Sequence, residues 1–163
     1  MLKVELREPV PGDIGWLISA HGRLYAKQFG FDSQFELDIA QKVVAFYGNG
    51  SDFDRVFIAY LGQERVGSIA ISNKGNSSSF INFLLVDEKF RGKGIASILL
   101  AEVLNYSAEQ GIKRIFLETY SCLEDARTLY DKFGFTIYKR NRDIQRYGYT
   151  FDQEFWEKTL GEN

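Results

Sequence analysis

Apolar residues recur with two periods along the chain, and each change of period marks a new element. Short apolar runs bounded by glycine, proline or polar residues are typical of β-strands, and apolar residues repeated every three or four positions are typical of amphipathic helices. Strands are predicted at Leu2–Arg7, Val56–Tyr60, Val66–Ser72, Phe80–Val86, Arg114–Thr119, Phe135–Lys139 and Phe155–Leu160. Helices are predicted at Ile14–Phe29, capped by Asp13, at Asp32–Tyr47, from Ile95 to a stop at Gly111, and at Glu124–Lys132.

The order of these elements predicts a mixed α/β fold. A short glycine-containing turn separates Val56–Tyr60 from Val66–Ser72, which predicts an antiparallel hairpin. A helix separates Phe80–Val86 from Arg114–Thr119, so these two strands are expected to run parallel. The last two strands are expected to be joined by a polar, tyrosine-bearing loop. The expected architecture is a predominantly antiparallel sheet with one central parallel pair and helices on both faces.

The centre of the chain, Phe80–Glu109, combines a strand, a glycine-rich turn and a helix. Gly92 and Gly94 can take positive φ on either side of Lys93, so the turn can present backbone N–H groups at the positive end of the helix, where phosphate binds. The turn lacks the Lys-Ser or Lys-Thr pair of a P-loop, and Ser97 replaces the third glycine of the dinucleotide motif. An ordinary turn with solvated basic residues is the alternative.

Composition and charge narrow the class of protein. The chain has 163 residues, 45% of them hydrophobic and 26% charged, with a formal net charge of −2, which suits one globular domain with a buried core. It shows no basic stripe for nucleic acid, no apolar run that could span a membrane and no signal peptide at Met1–Pro11, so a cytoplasmic location is expected. With one cysteine and one histidine, neither an internal disulfide nor a metal site is expected.

Two motifs carry a resemblance to a known family. Residues Arg91–Ala96 form an R-x-x-G-x-A pattern, which resembles the coenzyme A pyrophosphate loop of the GNAT superfamily of N-acyltransferases. Ala126–Phe135 is similar to the A-x-x-L-Y-x-x-x-G-F segment of the same family. The resemblance extends over essentially the whole chain and implies a single GNAT domain at residues 1–163. Pro11–Trp16 and His21–Ala26 look like the GNAT domains found alone or fused to MarR-type regulators.

The resemblance implies that acetyl-CoA lies in a cleft where the two parallel strands separate. Backbone groups near Leu84 and Val86 would hydrogen-bond the pantetheine arm. The amine would attack the thioester directly, and a backbone N–H of the central strand could stabilise the tetrahedral oxyanion. The pyrophosphate would be held by Arg91 and by the amides of Gly92, Lys93, Gly94, Ile95 and Ala96.

Tyr130 is the candidate general acid. The family places this tyrosine beside the coenzyme A sulfur, where a phenol with a pKa of about 10 can donate a proton to a thiolate with a pKa of about 8.5 if it is positioned directly against it. The alternative is a core aromatic residue on a helix face, because Tyr130 lies at core spacing from Ala126 and Phe133.

Several groups are candidates for removing the proton of the acceptor amine. Glu118, late in its strand, is a candidate catalytic residue that could point into the cleft or pair with a basic neighbour. The first helix lines the acceptor site in this family, so its residues His21 and Tyr25 are candidate substrate contacts. His21 also has a suitable ordinary pKa for a base, and a surface or capped histidine is its alternative. A water relay without a single base stays open.

Three further features depart from the motifs or add to them. Leu123 stands where many GNAT proteins carry an asparagine, although Ser121 could substitute for it. Cys122 has no evident base partner and is expected to be an inert small residue. The C-terminal aromatic residues could form a wall over the acceptor, pack within the sheet or contact a dimer partner: Tyr138, Tyr147, Tyr149, Phe151 and Trp156.

The expected function is therefore transfer of an acetyl group from acetyl-CoA to a primary amine of a small molecule, peptide or protein. The first two helices and the loop Asn141–Phe151 are expected to shape the acceptor pocket. A non-catalytic acyl-CoA-binding sensor or regulatory module is the alternative, and Tyr130 favours the enzyme because a sensor needs no acid. Since GNAT dimers are frequent, a homodimer is also an expectation.

Overall fold

A computed structural model describes residues 3–161, so Leu2 of the predicted first strand lies outside the described residues. The strands are β1 (Val4–Arg7), β2 (Arg55–Leu61), β3 (Glu64–Gly75), β4 (Ser78–Val86), β5 (Arg114–Tyr120), β6 (Thr136–Arg146) and β7 (Tyr149–Thr159). The helices are α1 (Asp13–Phe29), α2 (Ser33–Gly48), α3 (Ile95–Glu109) and α4 (Glu124–Lys132), with a short 3₁₀ helix at Glu88–Phe90.

The strands of residues 3–161 form one sheet in the order β1-β2-β3-β4-β5-β7-β6. Neighbouring strands are antiparallel except β4 and β5, which are parallel because α3 returns the chain to the same end of the sheet before β5 begins. The predicted mixed sheet with one central parallel pair is confirmed.

Each face of the sheet is covered by its own pair of helices, as predicted. Helices α3 and α4 pack on one face over a mainly aliphatic core that includes Leu99, Leu100 and Ile115, all without solvent exposure. Helices α1 and α2 cover the other face with a core rich in aromatic residues, among them Phe31 and Phe35. Burial of each large aliphatic side chain stabilises the fold by about 1.5–3 kcal/mol.

The start of α1 differs from the prediction, because Asp13 is the first helical residue and Gly12, with φ of 98°, is the N-cap. The buried Asp13 carboxylate instead accepts hydrogen bonds from Val10 N (2.9 Å), Tyr60 Oη (2.5 Å) and Arg65 Nε (2.6 Å). Burial acts to raise the pKa of Asp13, but the hydrogen bonds from Tyr60, Val10 and Arg65 outweigh burial and hold that pKa below its usual value. The carboxylate thereby fastens α1 to the β2–β3 hairpin.

The predicted loop Asn141–Phe151 is wrong. Strands β6 and β7 continue through it and meet at a two-residue turn, Tyr147-Gly148, with φ of 60° and 76°. Positive φ at both positions matches the twist of a hairpin. The residues of β6 are mostly polar and exposed, so they show no hydrophobic pattern of a strand, and β6 forms because it pairs with β7. The tip is held by packing of Tyr147 and Phe151 around Phe31 on the α1–α2 connection.

Candidate active site

The two parallel strands separate in the middle of the sheet. β4 and β5 pair only from Ser78 opposite Arg114 to Ile81 opposite Leu117. Beyond Ile81, β4 follows β3 and β5 follows β7, so the β5-facing edge of β4 has no strand partner within residues 3–161. The separation opens a cleft of about 720 Å³ between the two strands. A cleft of this size is within the usual range for a small-molecule site.

A bulge in β4 directs this separation. Ser68 pairs with Leu85 and Ala70 pairs with Asn82, so two residues of β4 lie opposite one residue of β3. One of the two is Phe83, with φ of 57°, an uncommon conformation for a bulky residue. The Ser68 hydroxyl donates a 2.7 Å hydrogen bond to the Phe83 carbonyl oxygen and stabilises the bulge. Of the predicted cofactor contacts, Leu84 is the second residue of the bulge and Val86 follows it, and both line the cleft.

The glycine-rich turn lies at the mouth of the cleft. Gly92 and Gly94 have φ of 75° and 76°, and no atom beyond their chain neighbours lies within 4 Å of the position that a Cβ would take at either residue. Gly94 is the N-cap of α3 and provides no side-chain cap. The backbone N–H groups from Gly92 to Ser97 have no acceptor within residues 3–161. The turn is therefore a set of open donors at a positive helix end.

Most of the predicted cofactor loop lines the cleft. Five of its residues do so: Arg91, Gly92, Gly94, Ile95 and Ala96. Lys93 is exposed and lies outside the lining. Its backbone N–H still belongs to the turn, so any contact of Lys93 with a ligand in the cleft would come from its main chain or from a rearranged side chain.

Tyr130 lies in the cleft and in the core at once. Only 5% of its surface is exposed, and its ring packs against Phe135 and Trp156 at 5.9 Å. Its hydroxyl has no hydrogen-bond partner in the part of the chain that the structure describes, and burial raises its pKa. The phenol is thus held by its ring, protonated at neutral pH, and free to donate a hydrogen bond.

Tyr25 and His21 contribute the α1 side of the cleft, where they stack on one another at 6.1 Å. His21 is 2% exposed, and its Nδ1 lies 2.8 Å from the Leu17 carbonyl oxygen. Since a carbonyl only accepts, this contact assigns the proton to Nδ1 and leaves Nε2 as an acceptor. Burial lowers the pKa of His21 to about 4, contrary to the ordinary pKa behind the base hypothesis.

Glu118 contributes a half-buried carboxylate to the cleft. The side-chain amide of Gln153 donates a hydrogen bond to Oε1 of Glu118. Asn141 in turn donates to Gln153 Oε1 at 2.9 Å, so three neighbouring strands orient the carboxylate. Of the two alternatives for Glu118, the structure places it in the cleft, with an amide partner in place of a basic one.

Other cleft residues were missed or left open by the sequence. Asn82, the polar interruption of the strand Phe80–Val86, lines the cleft, and that interruption was the available signal. Lys42 of α2 also lines it and has no signal in the sequence. Cys122 is a half-buried neighbour with a pKa that burial raises to about 11, so it is a neutral thiol.

The C-terminal aromatic residues do not form one wall. Tyr147 and Phe151 are buried around Phe31 on the face covered by α1 and α2. Trp156 packs on Tyr130 on the opposite face, which α3 and α4 cover. Tyr138 is 47% exposed, and its ring lies edge-on to the ring of Phe116.

None of the helices in residues 3–161 is long and apolar enough to cross a membrane, and no three His, Cys, Asp or Glu side chains of that part are grouped to bind a metal.

Comparison with known protein families identifies the family to which the chain belongs. Residues 22–135 match the model of the acetyltransferase (GNAT) family, which is more than half of the chain, and the chain belongs to this family. The family expectation from the two motifs is confirmed.

Curated relatives match over part of their length. The chain is 33% identical over 79 residues to streptothricin acetyltransferase of Escherichia coli, covering 48% of this chain and 45% of that protein. It is 33% identical over 88 residues to N-alpha-acetyltransferase 30 of Xenopus laevis, covering 52% of this chain and 32% of that protein. The chain therefore spans less than half the length of these two relatives.

A solved structure from Salmonella typhimurium, determined with its cofactor acetyl-CoA, has the same fold. Its TM-score is 0.78 at 13% identity, over 98% of this chain and 95% of that chain.

Proposed function

We propose that residues 1–163 form a single domain that transfers the acetyl group of acetyl-CoA to a primary amine. The observation that carries the proposal is the junction of two features: a cleft between separated parallel strands, and a turn of open N–H donors at Gly92–Ala96 at its mouth. The acetyl-CoA in the Salmonella typhimurium structure and the named activities of the two relatives support it.

The turn suits a pyrophosphate. Its N–H groups and the positive end of α3 converge on one place, and Arg91 lines the same part of the cleft. The unpaired edge of β4 at Leu84 and Val86 offers backbone groups to an amide-containing arm, much as another strand would pair with it. These residues hold and orient the donor, whose thioester supplies the acetyl group.

Tyr130 is proposed as the acid. In the reaction a C–N bond forms, the C–S bond breaks, and the sulfur needs a proton as it leaves. The Tyr130 phenol is protonated, lacks an internal partner and lines the cleft, so it can donate that proton. An N–H of the free β4 edge beyond the bulge is proposed to stabilise the oxyanion.

The acceptor is proposed to lie on the opposite side, between α1, α2 and β5. An alkylamine has a pKa of about 10.4, so it must lose a proton before attack. Glu118 is the proposed base, directly or through water, because it is the oriented carboxylate of this region. His21, with its pKa of about 4, is a poor base, and we assign its Nε2 and the Tyr25 phenol to contacts with the acceptor.

Calorimetric titration with acetyl-CoA tests the cofactor site, using wild type, Gly94→Glu and Gly75→Glu. Gly75 is a matched control because its φ of 84° and open surroundings resemble those of Gly94, while it is the last residue of β3 and lies beside the start of β4, away from the turn. We expect wild type and Gly75→Glu to bind alike, and Gly94→Glu to lose at least about 100-fold in affinity because its carboxylate would occupy the anion site. Equal affinity of all three proteins for acetyl-CoA would refute the proposed role of the Gly92–Ala96 turn in binding the pyrophosphate.

Thiol release from acetyl-CoA then tests the activity. The acceptors are ethanolamine, lysine, glycinamide and a peptide with a free α-amine, and water serves as the acceptor in a long incubation. Release above the buffer rate by wild type supports the enzyme. Tight binding with no release from any acceptor, water included, would contradict it and favour the acyl-CoA sensor instead.

A further inference from the structure

Glu154 is a buried carboxylate in the middle of β7 that the proposed reaction does not use. It is 1% exposed and lies outside the lining of the cleft. Arg127 binds it with two hydrogen bonds, from Nε at 2.8 Å and from a terminal nitrogen at 3.1 Å. Arg140 of β6 lies 3.5 Å away, and Trp156 Nε1 donates to it at 3.2 Å. One carboxylate therefore joins three groups: Arg127, Arg140 and Trp156.

Two of these groups also determine where Tyr130 lies. Arg127 precedes Tyr130 by three positions on α4, so both side chains lie on the face of the helix that meets the sheet. Trp156 packs its ring against the Tyr130 ring at 5.9 Å. Glu154 thus holds both the helix that carries the phenol and the indole against which the phenol rests.

Apart from apolar packing of Ala126, Leu129 and Tyr130 on the sheet, the ends of helix α4 offer little to fix its register. It has nine residues, below the length at which helices are stable alone, and its N-cap Leu123 makes no side-chain cap. The side of β7 is fixed, because Glu154 pairs with Thr119 of β5 and with Arg140 of β6. The two hydrogen bonds from Arg127 to Glu154 therefore fix the position of α4 relative to β7.

We propose that Glu154 is a positioning residue, which places the Tyr130 hydroxyl against the reacting sulfur through Arg127 and Trp156. A buried ion pair is weak evidence for a purely stabilising role, because well-packed apolar residues often replace one without loss of stability. The inference rests on the proposed function, since it needs Tyr130 to be the acid.

The test compares Glu154→Gln with Glu157→Gln. Glu157 lies on the same strand and also binds an arginine, with Arg114 at 2.5 Å, but that arginine belongs to β5. Thiol release from acetyl-CoA is measured with the fastest of the four amines named above, or with water if no amine accelerates it. Arg127→Lys provides a second variant if Glu154→Gln does not fold, because it keeps the positive charge and loses the paired hydrogen bonds of the guanidinium.

We expect Glu154→Gln to lower kcat between about 10-fold and 100-fold, the effect of a small displacement of a reacting group, with KM for acetyl-CoA within about twofold. Glu157→Gln should leave kcat unchanged. In a Tyr130→Phe background, Glu154→Gln should cost little more, because the group that it positions is gone.

Each other result overturns the inference in a recognisable way. If Tyr130→Phe lowers kcat while Glu154→Gln acts additively with it, or acts like Glu157→Gln, only the positioning role fails. If Tyr130→Phe leaves kcat unchanged, or if wild type releases no thiol, the acid role in the proposed function fails and the inference fails with it.

Discussion

The hydroxyl of Ser68 donates a 2.7 Å hydrogen bond to the carbonyl oxygen of Phe83. Ser68 is fully buried on β3, and Phe83 is the left-handed residue at which β4 bulges. A buried carbonyl that leaves a sheet ladder needs another donor, and Ser68 supplies it. A hydroxyl on the neighbouring strand therefore satisfies the carbonyl at the bulge where β4 leaves β5.

Removing this hydroxyl should affect both stability and binding. We expect Ser68→Ala to lower the free energy of unfolding by about 1–3 kcal/mol, because the Phe83 carbonyl becomes unsatisfied. It should also weaken acetyl-CoA binding, because the free edge of β4 shifts. Ser79→Ala is the control, since Ser79 is also buried on β4 but bonds Ser107 of α3. Denaturant unfolding and calorimetry give both quantities, and unchanged affinity in Ser68→Ala would contradict the link.

Tyr130→Phe separates the acid from the core residue. The ring contacts with Phe135 and Trp156 survive the change, so stability and acetyl-CoA affinity should stay close to wild type. The kcat for thiol release should fall by about 10²–10⁴-fold, the usual contribution of general acid catalysis. Tyr138→Phe is the control, because Tyr138 is half-exposed and lies outside the cleft, and it should leave kcat unchanged. An unchanged kcat would show that Tyr130 serves only as a packed aromatic residue of the core.

Glu118→Gln tests the base. The amide keeps the shape and can still bond Gln153, but it cannot take a proton. We expect kcat/KM for the amine to fall at pH 7 by roughly 10²-fold and to recover by about tenfold per pH unit, as more of the amine becomes neutral. Rates measured from pH 7 to pH 9.5 show this. A profile that matches wild type would point to a water relay.

His21 should make stability depend on pH. The unfolded imidazole binds a proton below about pH 6.5, whereas the folded one, with its pKa lowered by burial to about 4, does not. The folded state is therefore favoured above pH 6.5, and this contribution is lost as the pH falls toward 4. We expect a loss of about 2 kcal/mol between pH 7.5 and pH 5.

The control for this pH dependence is His21→Gln, because His21 is the one histidine of the chain. Chemical unfolding of the variant at several pH values should lack most of the slope between pH 5 and pH 6.5. A slope equal to that of wild type would show that other groups are responsible.

Local patterns were enough for most of the fold. Hydrophobic period and glycine stops predicted the order of strands and helices, because each pattern is a property of adjacent residues. The two final strands were predicted, but their continuation through Asn141–Phe151 was not, because it depends on residues that are distant in the sequence. β6 between Asn141 and Arg146 is polar and largely exposed, and it is a strand only because β7 pairs with it and Phe31 covers the tip.

The sequence by itself determined the family and the glycine-rich turn, since Arg91–Ala96 is contiguous and its glycines act through their own backbone. Tertiary structure decided the rest of the candidate site. The pKa of His21 follows from burial, and the orientation of Glu118 follows from Gln153, 35 positions away along the chain. The carboxylate of Glu154 meets Arg127 across 27 positions. Desolvation and contacts between distant residues exist only once the chain has folded, so no local pattern encodes them.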